Sequence, residues 1–340
     1  MSNSLIKITV AHNDSLIGHN KLKDDLINLF NKDKLAHASI FAGPAGIGKA
    51  SLVYQLIHHI LTLNRSDIEK QHIIGRINNN THGDFLNISH AHMEKEISVE
   101  EIRKIGNFLS LTPTESPYRI IMIDSIDTLS SNAANAMLKI LEEPPENSFI
   151  FLICHSQSRL LPTIRSRASL FKVSLSNIEA NNILKINEPN IDEETAAILL
   201  SISENSPGLA ILLYQHKALD LYKELLLLVN NASNNDIEIE KITKFATNFA
   251  GKNDDSWYIF IVLVNYLVTK IVKSMSCSKF EPEIIEGENE VIKKLKEQST
   301  IESCFELWDK IQFLLYEKMR SNLDHQQVIL SILEKLTLHE

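Results

Sequence analysis

Cysteine is scarce in this chain: Cys154, Cys277 and Cys304 are its only three, far apart and without a CxxC pair. That argues against a disulfide frame and points to a reducing compartment. A membrane-length apolar run is also missing. The longest, Ile259 to Val268, is interrupted by Asn265 and is about half of what a bilayer crossing requires. Met1 to Val10 carries one Lys and no apolar run leading into a small-residue cleavage site, so no signal peptide is expected. There is no internal repeat and no extended low-complexity tract. Positive charge is in deficit: 34 Lys and Arg face 43 Asp and Glu, a formal charge of -9. This argues against non-specific coating of nucleic acid by the chain as a whole and leaves room for a local basic patch. These absences describe a soluble cytoplasmic protein with no membrane contact.

The chain's 340 residues, 44% of them hydrophobic, are enough for two or three domains with full cores. In the first half, short apolar runs alternate with amphipathic stretches, as βαβ units require. Ala38 to Ala42 reads as a buried strand. Leu52, Val53, Leu56, Ile57, Ile60 and Leu61 then recur on one helical face. Arg119 to Ile123 and Ser148 to Ile153 read as further strands, separated by a helix from about Ser131 to Glu143. That helix should bury Ala133, Ala136, Met137, Ile140 and Leu141 and stop at Pro144-Pro145. Beyond about Ser174 the period is helical. A short helical segment is expected to end near Ser206-Pro207-Gly208, with loops over Asn230 to Asp236 and Lys279 to Glu290. Trp257 to Val272, Ile301 to Met319 and Leu323 to Leu338 read as helices of a bundle.

Between the first strand and its helix lies Gly43-Pro44-Ala45-Gly46-Ile47-Gly48-Lys49, a phosphate-binding loop in its proper strand-loop-helix setting. Its backbone N-H groups and the helix N-terminus suit phosphate oxygens, and Lys49 suits the outer phosphates. Gly43, Pro44, Gly46, Gly48 and Lys49 are therefore candidate nucleotide contacts. The next residue is Ala50, where a hydrolase carries the Ser or Thr hydroxyl that binds Mg²⁺. Ser51 does not replace it, because one helical step rotates a side chain by about 100°. The strand Ile120-Ile121-Met122-Ile123 ends in Asp124, placed to orient a metal shell, and is followed by Ser125. Hydrolysing P-loop proteins carry a general base there, whose loss costs about 10² to 10⁴ in rate. Asp127, past the strand end, is expected to cap the next helix or face solvent. Cys154 reads as a buried small hydrophobe. His72, His82, His90 and His92 crowd one region but match no zinc spacing, and no metal site is assigned.

Thr163-Ile164-Arg165-Ser166-Arg167 places two arginines two residues apart after Pro162, so at least one projects outward. Such a residue can reach across an interface to neutralise charge on a transferring phosphoryl group, worth about 10³ to 10⁵. On spacing alone, a surface pair bound to acidic residues of the same chain is the stronger reading.

Taken together, Leu35-Ala36-His37-Ala38, Ile97 to Pro113, Asn135 to Pro145 and Leu160 to Arg167 resemble the delta-prime family of bacterial DNA polymerase III clamp-loader subunits. The run Asn-Ala-Met-Leu-Lys-Ile-Leu-Glu-Glu-Pro-Pro is the most specific element, since P-loop proteins at large do not carry it. The resemblance is dense from about Ser15 to Phe171. It implies an α/β P-loop AAA+ module with a parallel sheet flanked by helices (1-172), a small helical lid (173-214) and an all-α collar (215-340). It further implies membership of a ring with motor and delta subunits that opens a sliding clamp and closes it on primed DNA. ATP is the implied ligand of the loop. The family's delta-prime subunits do not hydrolyse ATP but present an arginine to a neighbour's ATP, and by position that arginine is Arg167. Three departures stand out. Ala168 replaces a motif cysteine. No cysteine occurs between Leu61 and Asn87, where many members form a zinc module, so zinc is not expected. The lid segment Ser206 to Ala210 lacks the arginine of motor subunits.

Three other functions compete. A self-sufficient AAA+ ATPase, of the motor-subunit or branch-migration-helicase type, is opposed by Ala50, Ser125 and the missing lid arginine. A small-molecule kinase has no use for the Glu142-Glu143-Pro144-Pro145 run or the helical C-terminal third. A pure interaction scaffold with an empty loop would bind no ATP.

Overall fold

The computed structural model describes residues 18–89, 96–233, 239–250, 254–276, 283–298, 300–321 and 324–337. His90, His92, Cys277, the N-terminal segment to Val10 and the stretches 234–236 and 279–282 of the two expected loops lie outside them. The chain divides into two compact units. One holds the described residues through Pro189 together with Glu204–Leu209; the other holds Asn190–Ser203 and those from Ala210 onward.

In chain order the first unit contains α1 (Asn20–Asn31), β1 (Ala38–Ala42), α2 (Lys49–Leu61), α3 (Asp67–Asn78), β2 (Phe85–Ser89) and α4 (Val99–Ser110). It continues with β3 (Arg119–Asp124), α5 (Ser131–Glu142), β4 (Ser148–Cys154), α6 (Pro162–Arg165), β5 (Ser169–Lys172) and α7 (Asn177–Asn187). The strands form one parallel sheet in the order β2-β3-β4-β1-β5. Alternation along the central strands feeds two apolar layers. Ile40, Ile121, Ile123, Ile150 and Leu152 face one layer, which Ile102, Ile105, Met137 and Leu141 complete. Phe41, Ile120, Met122, Phe151 and Ile153 face the other, with Leu52, Leu56, Ile57 and Ile60 of α2. Ser-x-x-Glu capping boxes start α3, α4 and α7, each satisfying helix-end donors that would otherwise be orphaned.

The three expected strands are present, and β3 and β4 each run one residue further. β2 and β5 are additions. They are the two edges of the sheet, and neither carries the unbroken apolar run by which a buried parallel strand is recognised. α5 buries Ala133, Ala134, Met137 and Leu141 fully, whereas Ala136 and Ile140 are only partly covered.

The second unit is helical: α8 (Glu193–Ile202), most of α9 (Pro207–Gln215), α10 (Ala218–Ser233), α11 (Ile239–Ala250), α12 (Asp254–Ser276), α13 (Glu288–Gln298), α14 (Ile301–Ser321) and α15 (His325–Thr337). Ser206-Pro207-Gly208 starts a helix rather than ending one. Proline is preorganised for the first helical turn, and Ser206 Oγ accepts the Leu209 N-H at 3.2 Å. Asn230 to Ser233 likewise belong to α10, and Glu288 to Glu290 open α13 instead of closing a loop. α12 exceeds the expected apolar stretch: Asp255–Met275 is long and apolar enough to cross a membrane by length and composition. Here it packs against α8, α10, α11, α13 and α14. A buried polar cluster ties α10, α12 and α13. Glu288 accepts from Lys270 Nζ at 2.6 Å, Tyr222 Oη at 2.7 Å and the Ile284 N-H at 3.0 Å.

Candidate nucleotide site and exposed arginine

The Gly43–Lys49 loop joins the C-terminal end of β1 to the N-terminus of α2. Gly46 and Gly48 adopt φ of 76° and 89°, a left-handed geometry that side chains resist. Gly48 is the N-cap of α2 and supplies no side-chain cap, and the first turn carries no acid. The helix therefore presents uncapped N-H groups and the positive end of its dipole beside the loop. Ala50 is half-buried against the apolar layer of α2, so no hydroxyl stands where a metal would be held.

Lys49 is 3% exposed and folds back on its own loop. Its ammonium donates to the carbonyls of Gly43 at 2.7 Å and Pro44 at 2.5 Å and to His155 Nδ1 at 2.9 Å. With Nδ1 accepting, His155 Nε2 donates to Asp124 Oδ1 at 2.9 Å. Sheet order explains this chain of contacts. β4 lies between β1 and β3, so the residue after Cys154 falls between the lysine that follows β1 and the acid that ends β3. Burial lowers the Lys49 pKa to about 8, while Asp124 and Asp127 oppose the shift.

The next helix, α5, is capped by Ser130 and not by Asp127, which is partly exposed. Its carboxylate accepts the N-H groups of His155 and Ser156, both at 3.0 Å, and thereby fixes the turn that carries His155. Ser125 is buried, and its carbonyl accepts from Thr128 at 2.9 Å. Cys154 is fully buried and its thiol pKa is pushed up to about 11 by burial, which leaves it a poor nucleophile.

A second contact closes on the loop from distant sequence. Ser206 Oγ donates to the Ala45 carbonyl at 2.6 Å, and the Gly208 N-H donates to the Gly46 carbonyl at 3.0 Å. A Cβ on Gly46 would meet Ser206, and one on Gly208 would come 2.8 Å from the Gly46 oxygen. Both glycines are needed for this approach.

Arg165 is the last residue of α6, and Arg167 lies two residues beyond it. Arg165 is exposed. Arg167, with its side chain 35% exposed, bonds Glu142 Oε1 through Nε at 2.7 Å and Nη2 at 2.5 Å. Its further hydrogen bonds go to the Thr163 carbonyl and Ser166 Oγ, not to the Gly43–Lys49 loop. His72 lies on the exposed side of α3, and His82 is buried, its Nδ1 accepting the Asp84 N-H at 3.1 Å. Among the described residues no three His, Cys, Asp or Glu side chains gather as a metal site would require.

The residues that a linear reading missed are His155, Ser206 and Glu142. A polar residue directly after an apolar strand was the signal available for His155. Nothing local marks Ser206 or Glu142, whose partners lie 161 and 25 residues away.

The profile of a family described as "DNA polymerase III, delta subunit" matches residues 18–177. The chain is 30% identical over 247 residues to the DNA polymerase III subunit gamma of Buchnera aphidicola subsp. Schizaphis graminum, covering 70% of this chain and 67% of that one. It is 31% identical over 179 residues to the subunit delta' of Pseudomonas aeruginosa, covering 51% of this chain and 54% of that one. The match thus spans about half the length of this delta' relative. Among solved structures, a gamma-subunit-related protein of Thermotoga maritima aligns with 94% of this chain and 98% of its own, at 18% identity and a TM-score of 0.45.

Proposed function

This chain belongs to the family of DNA polymerase III clamp-loader-related subunits, and from that premise we propose that it is a cytoplasmic, delta-prime-like stator subunit acting in its neighbour's catalytic site. It turns over no ATP of its own and offers Arg167 to the nucleotide of an adjoining motor subunit. Its partners are the motor and delta subunits, and through them the sliding clamp and primed DNA. In this reading 1-172 is the AAA+ module, 173-214 the lid and 215-340 the collar.

Fit to ATP divides into two parts. Gly43, Pro44, Gly46, Gly48 and Lys49 suit a polyphosphate, because they combine uncapped helix N-H groups with a buried ammonium. The metal half does not fit. Ala50 brings no oxygen, and Asp124 is engaged by His155. Bound ATP would supply charge and shape to this loop without a competent Mg²⁺ shell. The neighbour's site, not this one, is where chemistry proceeds.

The observation that carries the proposal is the placement of Arg167. It sits partly exposed two residues beyond a four-residue helix, α6, and its hydrogen bonds go to Glu142, Thr163 and Ser166 rather than to its own loop. A planar guanidinium so presented suits charge developing on another subunit's phosphate. The test is reconstitution with partner subunits. Arg167→Ala should lower their DNA-dependent ATPase by about 10³-fold while size-exclusion profiles show the assembly intact. An unchanged rate overturns the reading.

A further inference from the structure

The Glu142-Glu143-Pro144-Pro145 run distinguishes this chain from P-loop proteins at large, yet nothing in the nucleotide loop uses it. Its place in the fold gives it a partner. α5 ends at Glu142, and Glu143, Pro144 and Pro145 turn the chain away toward β4. His37 Nε2 donates to the Leu141 carbonyl at 3.3 Å, which holds this helix end against the strand carrying the loop. Glu142 therefore projects from a pinned position, and the group it meets is Arg167.

We propose that Glu142 is the positioning residue for Arg167, an inference that rests on the trans role argued above. Three acceptors surround the guanidinium. Glu142 Oε1 takes both Nε and Nη2, while Nη1 donates to the Thr163 carbonyl at 3.0 Å and Ser166 Oγ at 3.2 Å. One Nη2 hydrogen is left without a partner among the described residues, and it lies on the half-exposed side chain where another molecule can reach it. Among the described residues the carboxylate is thus the one charged anchor of a long side chain whose other hydrogen bonds go to neutral oxygens. It fixes the plane of the fork and lowers the rotamer entropy lost when the arginine meets a phosphate. Glu143 has no such contact and is exposed, so the two adjacent glutamates have separate roles.

Because both side chains are partly exposed, 35% and 49%, the pair itself contributes little to folding. This separates a positioning role from a structural one. In the reconstituted loader, Glu142→Gln keeps the shape and removes the charge. It should lower the neighbours' kcat for ATP about tenfold, with KM within about twofold and the thermal melting curve of the subunit unmoved. Glu142→Asp should recover part of the loss. In the Arg167→Ala background, Glu142→Gln should have no further effect, since the two residues act as one unit. If Arg167→Ala lowers kcat while Glu142→Gln leaves it unchanged or raises it, the positioning role falls and the arginine role stands. If Arg167→Ala changes nothing, the arginine role falls and takes this inference with it. Additive losses in the double variant would mean that Glu142 acts elsewhere, which also overturns it.

Discussion

Lys49 shows how much of a residue's state lies outside its local sequence. Its position after Gly48 makes it the candidate phosphate contact of the loop, but its ammonium is committed to two loop carbonyls and to His155. Any nucleotide must take it from them. Burial, which lowers its pKa to about 8, gives the exchange a pH signature. Below that value the lysine is charged and suits a polyphosphate. Bound phosphate favours the charged form and returns the pKa toward its ordinary range. ATP binding therefore takes up a proton above about pH 8, and affinity should fall about tenfold per pH unit from there until the bound-state pKa is passed. Calorimetric titration of ATP from pH 7 to pH 9.5 checks this, with Lys49→Ala as the flat control. No binding at any pH would remove the loop from the list of nucleotide sites.

Among the elements, the loop Thr112 to Pro117 between α4 and β3 shows how a buried charge can hold a fold. Asp84 is fully buried. Its carboxylate accepts the N-H groups of Thr114 at 2.7 Å, Glu115 at 2.8 Å and Ser116 at 3.0 Å, and the Thr114 hydroxyl at 3.1 Å. Burial works against its charge, but these hydrogen bonds outweigh it and lower the pKa below the ordinary Asp value. Its stabilisation is thus complete above that ordinary value and lost as pH falls through the lowered one. Asp84→Asn should destabilise the protein by about 2 to 3 kcal/mol at neutral pH, measured by urea unfolding; a loss below about 0.5 kcal/mol would mean that the loop is held otherwise. Such ties are silent in sequence because they join residues 30 apart or more. β1, β3, β4, α2 and α5 were legible, since each carries its own period or unbroken apolar run. β2 and β5 were not, being half-wet edges. The same division runs through the site. Gly43 to Lys49 and Asp124 announce themselves locally, whereas His155, Asp127 and Ser206 gain their contacts only from the order β3-β4-β1 and from the start of α9.

For the whole molecule the open choice lies between stator and motor, and overall similarity does not make it. Identity to the gamma relative is 30% and to the delta' relative 31%, so the decision rests on particular residues. Ala50 removes the metal-binding hydroxyl, Ser125 stands where a general base belongs, and Ser206 to Ala210 contains no arginine. The segment without that arginine instead spends Ser206 and Gly208 on the loop's own carbonyls. Loss of a base alone costs about 10² to 10⁴ in rate, and the absent metal ligand adds to it. The isolated full chain should accordingly release phosphate from Mg-ATP no faster than a Lys49→Ala control, with or without primed DNA. Steady turnover above that control would make the chain a motor in its own right. It would also detach the meaning of Arg167 from that of the incomplete loop, because a subunit that hydrolyses ATP itself has no need to act only in its neighbour's site.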